Sequence, residues 1–363
     1  MRKLSIVHTE ASLGWGGQEI RILSESQGMI RRGHEVRLLC PPEARIYAEA
    51  PGYGVPAIAL PIARKRPVGV KVLYAWLKGN HCNVVVTHSS TDAWLAAFAL
   101  LAMGRPIPTV RTRHISAPVP GNAPTRWLYT RATARIVTTG EALKKELVER
   151  NGYPAQRIDS VPTGIDTARF RPGDRNAARA KLKLPPGRKL VGIIATLRSW
   201  KGHRFLIEAL PPEAHLAIVG DGPMRAVLEE LVSQKGLRER VTFAGNQSDV
   251  VPWLQALDAF ALPSYANEGV PQALIQAMLV GLPCVTTNIG SMAELAVHEK
   301  TALVVQPQDV GALSAALRAL LGDTSLKERL GAAARKHCVE RFSYERMLDR
   351  MEAIYQEAAG AHR

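Results

Sequence analysis

Glu268 stands in a loop directly after the apolar run Ala259–Leu262. Gly269, Val270 and Pro271 follow it, and Gln276 falls eight residues further on, in a segment compatible with a helix. A strand that delivers a carboxylate to its carboxyl end, followed by a helix whose free N–H groups point at the same place, can hold a polyhydroxylated, negatively charged ligand. The stretch Thr196-Leu197-Arg198-Ser199-Trp200-Lys201-Gly202 also follows an apolar run. Two cations three residues apart in such a loop can clamp neighbouring phosphate groups, the arginine in bidentate fashion, although an exposed basic turn would look the same. Gly14-Trp15-Gly16-Gly17-Gln18-Glu19 lies between the first apolar run and the first helical pattern, so the backbone of Gly16 and Gly17 could approach an anion. The competing account is a tight turn with no ligand, since the spacing is not that of a dinucleotide fingerprint. Val219-Gly220-Asp221-Gly222-Pro223 is a third glycine turn, read mainly as packing. Val110-Arg111-Thr112-Arg113-His114 ends another strand-like run, where Arg111 and Arg113 could meet an anionic acceptor. His88, in Thr87-His88-Ser89-Ser90, ranks below His114. No Ser–His–Asp arrangement and no metal-binding spacing is readable.

The segment from Tyr265 to Met278 resembles the Glu-x7-Glu signature of retaining, nucleotide-sugar-dependent glycosyltransferases of family 4, with Gln276 in place of the second Glu. Thr196–Gly202 resembles that family's Gly-Arg-Leu-x-x-x-Lys-Gly stretch. Lys201 matches the lysine, the arginine position falls on Thr196, and Arg198 lies two residues later. The resemblance implies a GT-B fold of two Rossmann-like doubly wound domains facing across a cleft, and no metal or other cofactor beyond the nucleotide-diphosphate sugar itself. It implies that Glu268 contacts the transferred sugar, that Gln276 serves the ribose, and that Gly16, Gly17, Arg198, Lys201, Gly220, Gly269, Val270 and Pro271 meet the donor. His114 would stand beside the transferred sugar, with Arg111 and Arg113 on the acceptor side. The implied acceptor is a glycan or glycolipid, with lipopolysaccharide-type envelope saccharide the first choice. A nucleotide-sugar epimerase of the same architecture and a non-catalytic nucleotide-sugar-binding relative are the alternatives.

Apolar, β-branched runs alternate with amphipathic segments throughout the chain, and near-continuous apolar strands imply parallel sheets covered by helices on both faces. The strands expected in the first half are Leu4–His8, Glu35–Cys40, Val84–Thr87, Thr109–Arg113, Ile136–Thr139 and Arg157–Val161. In the second they are Leu190–Ala195, His215–Val219, Val241–Phe243, Ala259–Leu262, Pro283–Thr286 and Leu303–Val305. The Pro- and Gly-containing stretch from Arg171 to Arg188 reads as the connection. The expected domains are therefore 1–170 on the acceptor side and 171–342 for the donor. A tail, 343–363, forms one amphipathic helix that the resemblance returns to the first domain.

At 363 residues, two domains are the default, and 46% apolar with 22% charged residues is ordinary for a globular protein. Residues 1–170 hold 23 Lys and Arg against 12 Asp and Glu, and the remainder 24 against 20. That excess attracts anions, and without interleaved aromatics it favours phosphate or an anionic membrane surface over nucleic acid. Lys71, Trp76 and Lys78 on a helix over Val70–Leu77 suit such a surface. The four scattered cysteines suit buried thiols in a reducing compartment. The longest apolar run, Trp94–Met103, falls well short of the roughly 20 residues that span a bilayer. A cytoplasmic protein, at most peripheral on the inner face of the membrane, is expected.

Overall fold

A computed structural model describes residues 2–104, 107–114, 117–266 and 268–360. The chain forms two units, one of residues 1–163 and 345–363, the other of residues 164–344.

The first unit is built on seven strands: β1 (Ser5–Thr9), β2 (Glu35–Cys40), β3 (Ala57–Ala59), β4 (Val84–Thr87), β5 (Thr109–Arg113), β6 (Arg135–Thr138) and β7 (Ile158–Ser160). They lie in the order β3-β2-β1-β4-β5-β6-β7 and every pairing is parallel. β1 and β4 are buried at every position, which is why they read as unbroken apolar runs and not as alternating ones. Helices Gly17–Arg31, Pro67–Gly79, Ser90–Met103, Ala123–Thr130 and Glu141–Glu149 connect them. Ser89 and Asp92 form a capping box at the start of Ser90–Met103, satisfying two otherwise orphaned donors.

The second unit has six strands: β8 (Lys189–Ile194), β9 (Ala214–Val219), β10 (Val241–Gly245), β11 (Ala259–Leu262), β12 (Cys284–Thr286) and β13 (Leu303–Val304). Their order is β10-β9-β8-β11-β12-β13, again all parallel. In both sheets the strand order reverses at one point, β1/β4 in the first and β8/β11 in the second. In such folds the reversal point, at the strands' carboxyl ends, is where ligands bind.

Several features differ from the sequence reading. Arg171–Arg188 is not a bare connection. Asp174 accepts hydrogen bonds from the N–H groups of Asn176 and Ala177 and starts a helix, Arg175–Leu182. Arg175 and Arg179 bind the two oxygens of buried Asp258 at 2.9 and 2.7 Å, tying that helix to the second sheet. The second unit also begins before residue 171: Ile165 bridges to Ser343, and Phe170 is buried in its core. β3 and the helix Thr324–Arg341 were not read from the sequence at all. The four cysteines are buried and none is in a disulfide. Among the described residues no helix is long and apolar enough to cross a membrane.

The terminal helix, Tyr344–Gly360, buries Met347, Leu348, Met351, Ile354 and Tyr355. Within the first unit, the Tyr355 hydroxyl donates to Glu25 Oε1. Glu25 Oε2 faces Arg21 Nε at 3.5 Å, and Arg21 donates to the Val161 carbonyl at 2.7 Å. At the rim, Arg32 and His34 hold Glu352 at 2.9 and 3.0 Å. Removing the phenol hydroxyl leaves a buried carboxylate oxygen short of a donor. Tyr355→Phe should therefore lower the unfolding free energy by about 1–3 kcal/mol in urea denaturation. An unchanged midpoint would show that the Tyr355 hydroxyl does not help to anchor the helix.

Candidate active site

In the second unit the loops after β8 and β11, the two strands at the reversal, meet. The turn Ser199–Lys201 ends in Gly202 at φ +78°, and a Cβ there would lie 2.1 Å from the Pro263 carbonyl oxygen. Glycine therefore lets the two loops touch, and the Tyr265 N–H closes the contact on the Trp200 carbonyl at 2.9 Å. The result places Lys201 Nζ 2.6 Å from Glu268 Oε1. The Ser264 hydroxyl donates to the same oxygen at 2.6 Å, and Thr287, just after β12, donates to the Ser264 carbonyl at 2.5 Å. Gly290, at φ +59°, closes the far side. A Cβ on it would fall 1.9 Å from the Glu268 carbonyl oxygen, so only glycine allows this loop to lie against Glu268.

Glu268 is 4% exposed, whereas the Lys201 side chain is 21% exposed. The carboxylate is thus sunk in the loop floor and the ammonium sits over it, open to solvent on one side. A buried carboxylate held by one ammonium and one hydroxyl can exchange the ammonium for ligand hydroxyls and release the cation towards an anion. Arg198 belongs to the same turn, exposed, with its guanidinium 5.6 Å from the centre of the Trp200 ring. Gly269 is half-buried, and Val270 and Pro271 are buried at the start of the helix Gln272–Leu279, which carries half-buried Gln276 on its second turn. Gly220 gives its N–H to the Gly245 carbonyl at 2.8 Å, so that group serves the turn. His203 is buried, and burial, with the nearby Lys201 charge, lowers its pKa to about 4.

In the first unit, Gly16 is the extended N-cap of Gly17–Arg31, with no side chain capping it. Glu10, between β1 and this glycine loop, is fully buried and accepts from the Ser12 N–H at 2.7 Å and the Gln18 amide at 2.5 Å. Burial, and next the Asp92 carboxylate, push the Glu10 carboxyl up to about 8. His114 is half-buried at the end of β5, and His88 Nδ1 lies 3.0 Å from its Nε2. Arg113 donates to the Ala117 carbonyl at 2.6 Å.

Arg111 corrects an expectation: it is 3% exposed and its guanidinium lies 4.5 Å from the centre of the Tyr129 ring, out of reach of an acceptor in solvent. Side chains alternate along a strand, so Arg111 and His114 leave β5 on opposite faces, and the helix Ala123–Thr130 covers the arginine side. Glu10, His8, Asp92, Ser264 and Thr287 become candidates only in the structure. The available signal was polar residues clustered at strand carboxyl ends: His8-Thr9-Glu10, Thr87-His88 and Thr286-Thr287. Among the described residues no group of three His, Cys, Asp or Glu is placed to hold a metal ion.

Two doubly wound parallel-sheet units, each with polar loops at the carboxyl ends of its strands, define the GT-B class of glycosyltransferase folds. The Anabaena protein Alr3699/HepE, solved in complex with UDP-glucose, superposes with a TM-score of 0.86 at 20% identity, over 98% of this chain and all of its own. The family model for Glycosyltransferase Family 4 matches residues 15–169, and that for Glycosyl transferases group 1 matches residues 174–337. Among curated proteins, a D-inositol 3-phosphate glycosyltransferase of Nocardia farcinica is 31% identical over 79% of this chain and 65% of its own length. The lipopolysaccharide core biosynthesis mannosyltransferase LpsB of Rhizobium meliloti is 31% identical over 58% of this chain and 65% of its own. The chain belongs to the GT-B glycosyltransferases of the family 4 type.

The raised Glu10 value has a consequence for stability. The native state prefers the protonated carboxyl, so this preference favours folding fully below about 4.5 and is lost as pH rises through about 8. Glu10→Gln cannot ionise. Its melting temperature relative to the unmodified protein should therefore climb between about pH 5 and about pH 9 in thermal denaturation. A constant difference across that range would mean that Glu10 is already ionised in the fold.

Proposed function

We propose that this protein transfers a sugar, with retention of configuration, from a nucleoside diphosphate donor to a hydroxyl of a glycan or glycolipid acceptor. The observation that carries the proposal is the Lys201–Glu268 pair at the β8/β11 reversal: a sunken carboxylate and a movable cation 2.6 Å apart. A donor sugar would replace Lys201 at Glu268 with its hydroxyls, and Lys201, with Arg198 on the same turn, would turn to the diphosphate. In the reaction the anomeric carbon–phosphate oxygen bond breaks and a bond to the acceptor oxygen forms on the same face. The acceptor's proton passes to the departing phosphate. Charge grows on that phosphate, so a preplaced cation lowers the barrier more than it tightens ground-state binding. Glu268, fixed by Ser264, would steady positive character at the sugar ring. The reaction as proposed draws on no metal.

For the donor, a UDP-sugar leads, on the UDP-glucose held by the HepE fold relative. Gln276 would meet the ribose by its amide. For the acceptor, the names of the two curated relatives point to a polyol phosphate and to an envelope saccharide. Our reading keeps the lipopolysaccharide-type saccharide, approached at the inner face of an anionic membrane. Lys71 and Lys78 are exposed on the helix Pro67–Gly79, and the basic excess of residues 1–170 supports that surface.

Two experiments test the reading. UDP-, GDP- and ADP-sugars incubated without acceptor should release nucleoside diphosphate with one base. Glu268→Gln and Lys201→Met should each cut that release by about 100-fold or more. Release that is undiminished in both variants, or absent with every donor, contradicts the proposal. Co-sedimentation with anionic vesicles should be strong at low salt and lost at high salt, and salt-independent behaviour would remove the membrane surface.

A further inference from the structure

Three histidines in the first unit form a row that neither the fold nor the proposed transfer requires as such. β1, β4 and β5 are neighbours, with His8 beside Val86 and Thr87 beside Arg111. Counting along these registers, His88 lies two residues further towards the strands' carboxyl ends than His8, and His114 two further again. Steps of two keep all three side chains on one face of the sheet. His8 Nδ1 is 2.9 Å from His88 Nε2, with the rings within 9° of coplanar, and His88 Nδ1 is 3.0 Å from His114 Nε2. The row therefore climbs from the interior, where His8 is fully buried, to half-buried His114 at the strand ends.

Its surroundings are fixed. Asp92 accepts from Thr9 Oγ1, the His88 N–H and the Ser89 N–H at 2.9, 2.8 and 2.7 Å, which clamps the end of β4 to β1. Tyr355, bonded to Glu25, meets the His8 ring edge-on at 6.3 Å between centres. The charged groups bearing on the row are Glu25 and Arg21 from the first helix and Arg113 from β5. Burial lowers His8 to about 4 and holds His88 and His114 well below the usual histidine value, so all three rings are neutral near pH 7.

A neutral imidazole has one N–H and one bare nitrogen. Two hydrogen bonds in series then leave only two arrangements of the whole row. Either every ring carries its proton on Nδ1 and donates towards His114, or every ring carries it on Nε2 and donates towards His8. The second arrangement puts an N–H on His8 Nε2, which is buried without a hydrogen-bond partner. A buried donor left unmet is the rarer and costlier defect.

We infer that His8 and His88 are positioning residues for the transfer proposed above: they lock His114 in its Nδ1–H tautomer, so that it presents a hydrogen-bond donor to a sugar hydroxyl. The inference rests on that functional reading for its purpose, while the tautomer itself does not depend on it. His88 acts by refusing His114 any choice of proton position, and His8 acts by refusing His88 the same choice.

Histidine 15N–1H long-range correlation spectra of the full-length protein at neutral pH, assigned by single substitutions, test the inference without substrate. His114 should appear as the Nδ1–H tautomer, and so should His8 and His88. An Nε2–H tautomer or a mixture at His114 overturns the inference. His88→Phe should release His114 into a mixture, whereas His88→Asn, whose amide can still donate from the place of Nδ1, should preserve Nδ1–H. A His114 signal unchanged in His88→Phe also overturns it. In turnover, His88→Phe should lower kcat by about tenfold with KM for the donor little changed, and His88→Asn should recover most of the loss. If no donor is turned over by any form, the functional reading fails while the spectra still decide the tautomer.

Discussion

One contact organises the second unit's chemistry: the ammonium of Lys201 on the carboxylate of Glu268. The two residues are far apart in sequence and belong to loops that begin on adjacent strands at the reversal of the sheet. Apart from the single 3-10 turn Ser199–Lys201, the described residues of both loops are irregular, so their conformation depends on close backbone contact. That contact exists because two positions carry no Cβ, Gly202 against Pro263 and Gly290 against Glu268. Ser264 and Thr287 then fix the carboxylate from below by hydrogen bonds that chain β11 to β12. A buried charge is tolerated only with a partner. Lys201 is that partner in the structure, and in the proposed reaction the hydroxyls of the donor sugar would take its place.

The first unit solves a different problem. It buries several titratable groups (His8, Glu10, Arg21, Glu25, His88 and Asp92) close to its own sheet reversal. Most are satisfied locally, by a capping box, by backbone N–H groups of the glycine loop, or by the terminal helix through Tyr355. Because the sheet is parallel and covered on both faces, these groups have no solvent to fall back on, and their protonation states are set by geometry.

Much of this was legible in the sequence. Strand runs buried on both faces announced themselves as apolar stretches, and the turn residues between them placed Glu268, Lys201 and His114 at strand ends. What escaped was decided at long range. The helix Arg175–Leu182 looked like a linker because Pro and Gly bracket it, and its anchor, Asp258, lies far along the chain. Arg111 looked available for an anion because a charged residue in a strand invites that reading. Strand alternation separates it from His114, but only the packing of Tyr129 shows that it is buried. His8 and Glu10 were invisible because a buried histidine or glutamate carries no local signature, and the three-histidine row exists only once the strand order β1-β4-β5 is known.

The coupling between Lys201 and Glu268 can be measured without ligand by a double-mutant cycle. Lys201→Met, Glu268→Gln and the double variant would be compared by urea denaturation of the full chain. If the two side chains hold each other as described, the double variant should be more stable than the sum of the single losses allows, by about 1 kcal/mol or more. Losses that simply add would mean that the pair is not formed in solution, and the ligand-opened site built on it would not stand.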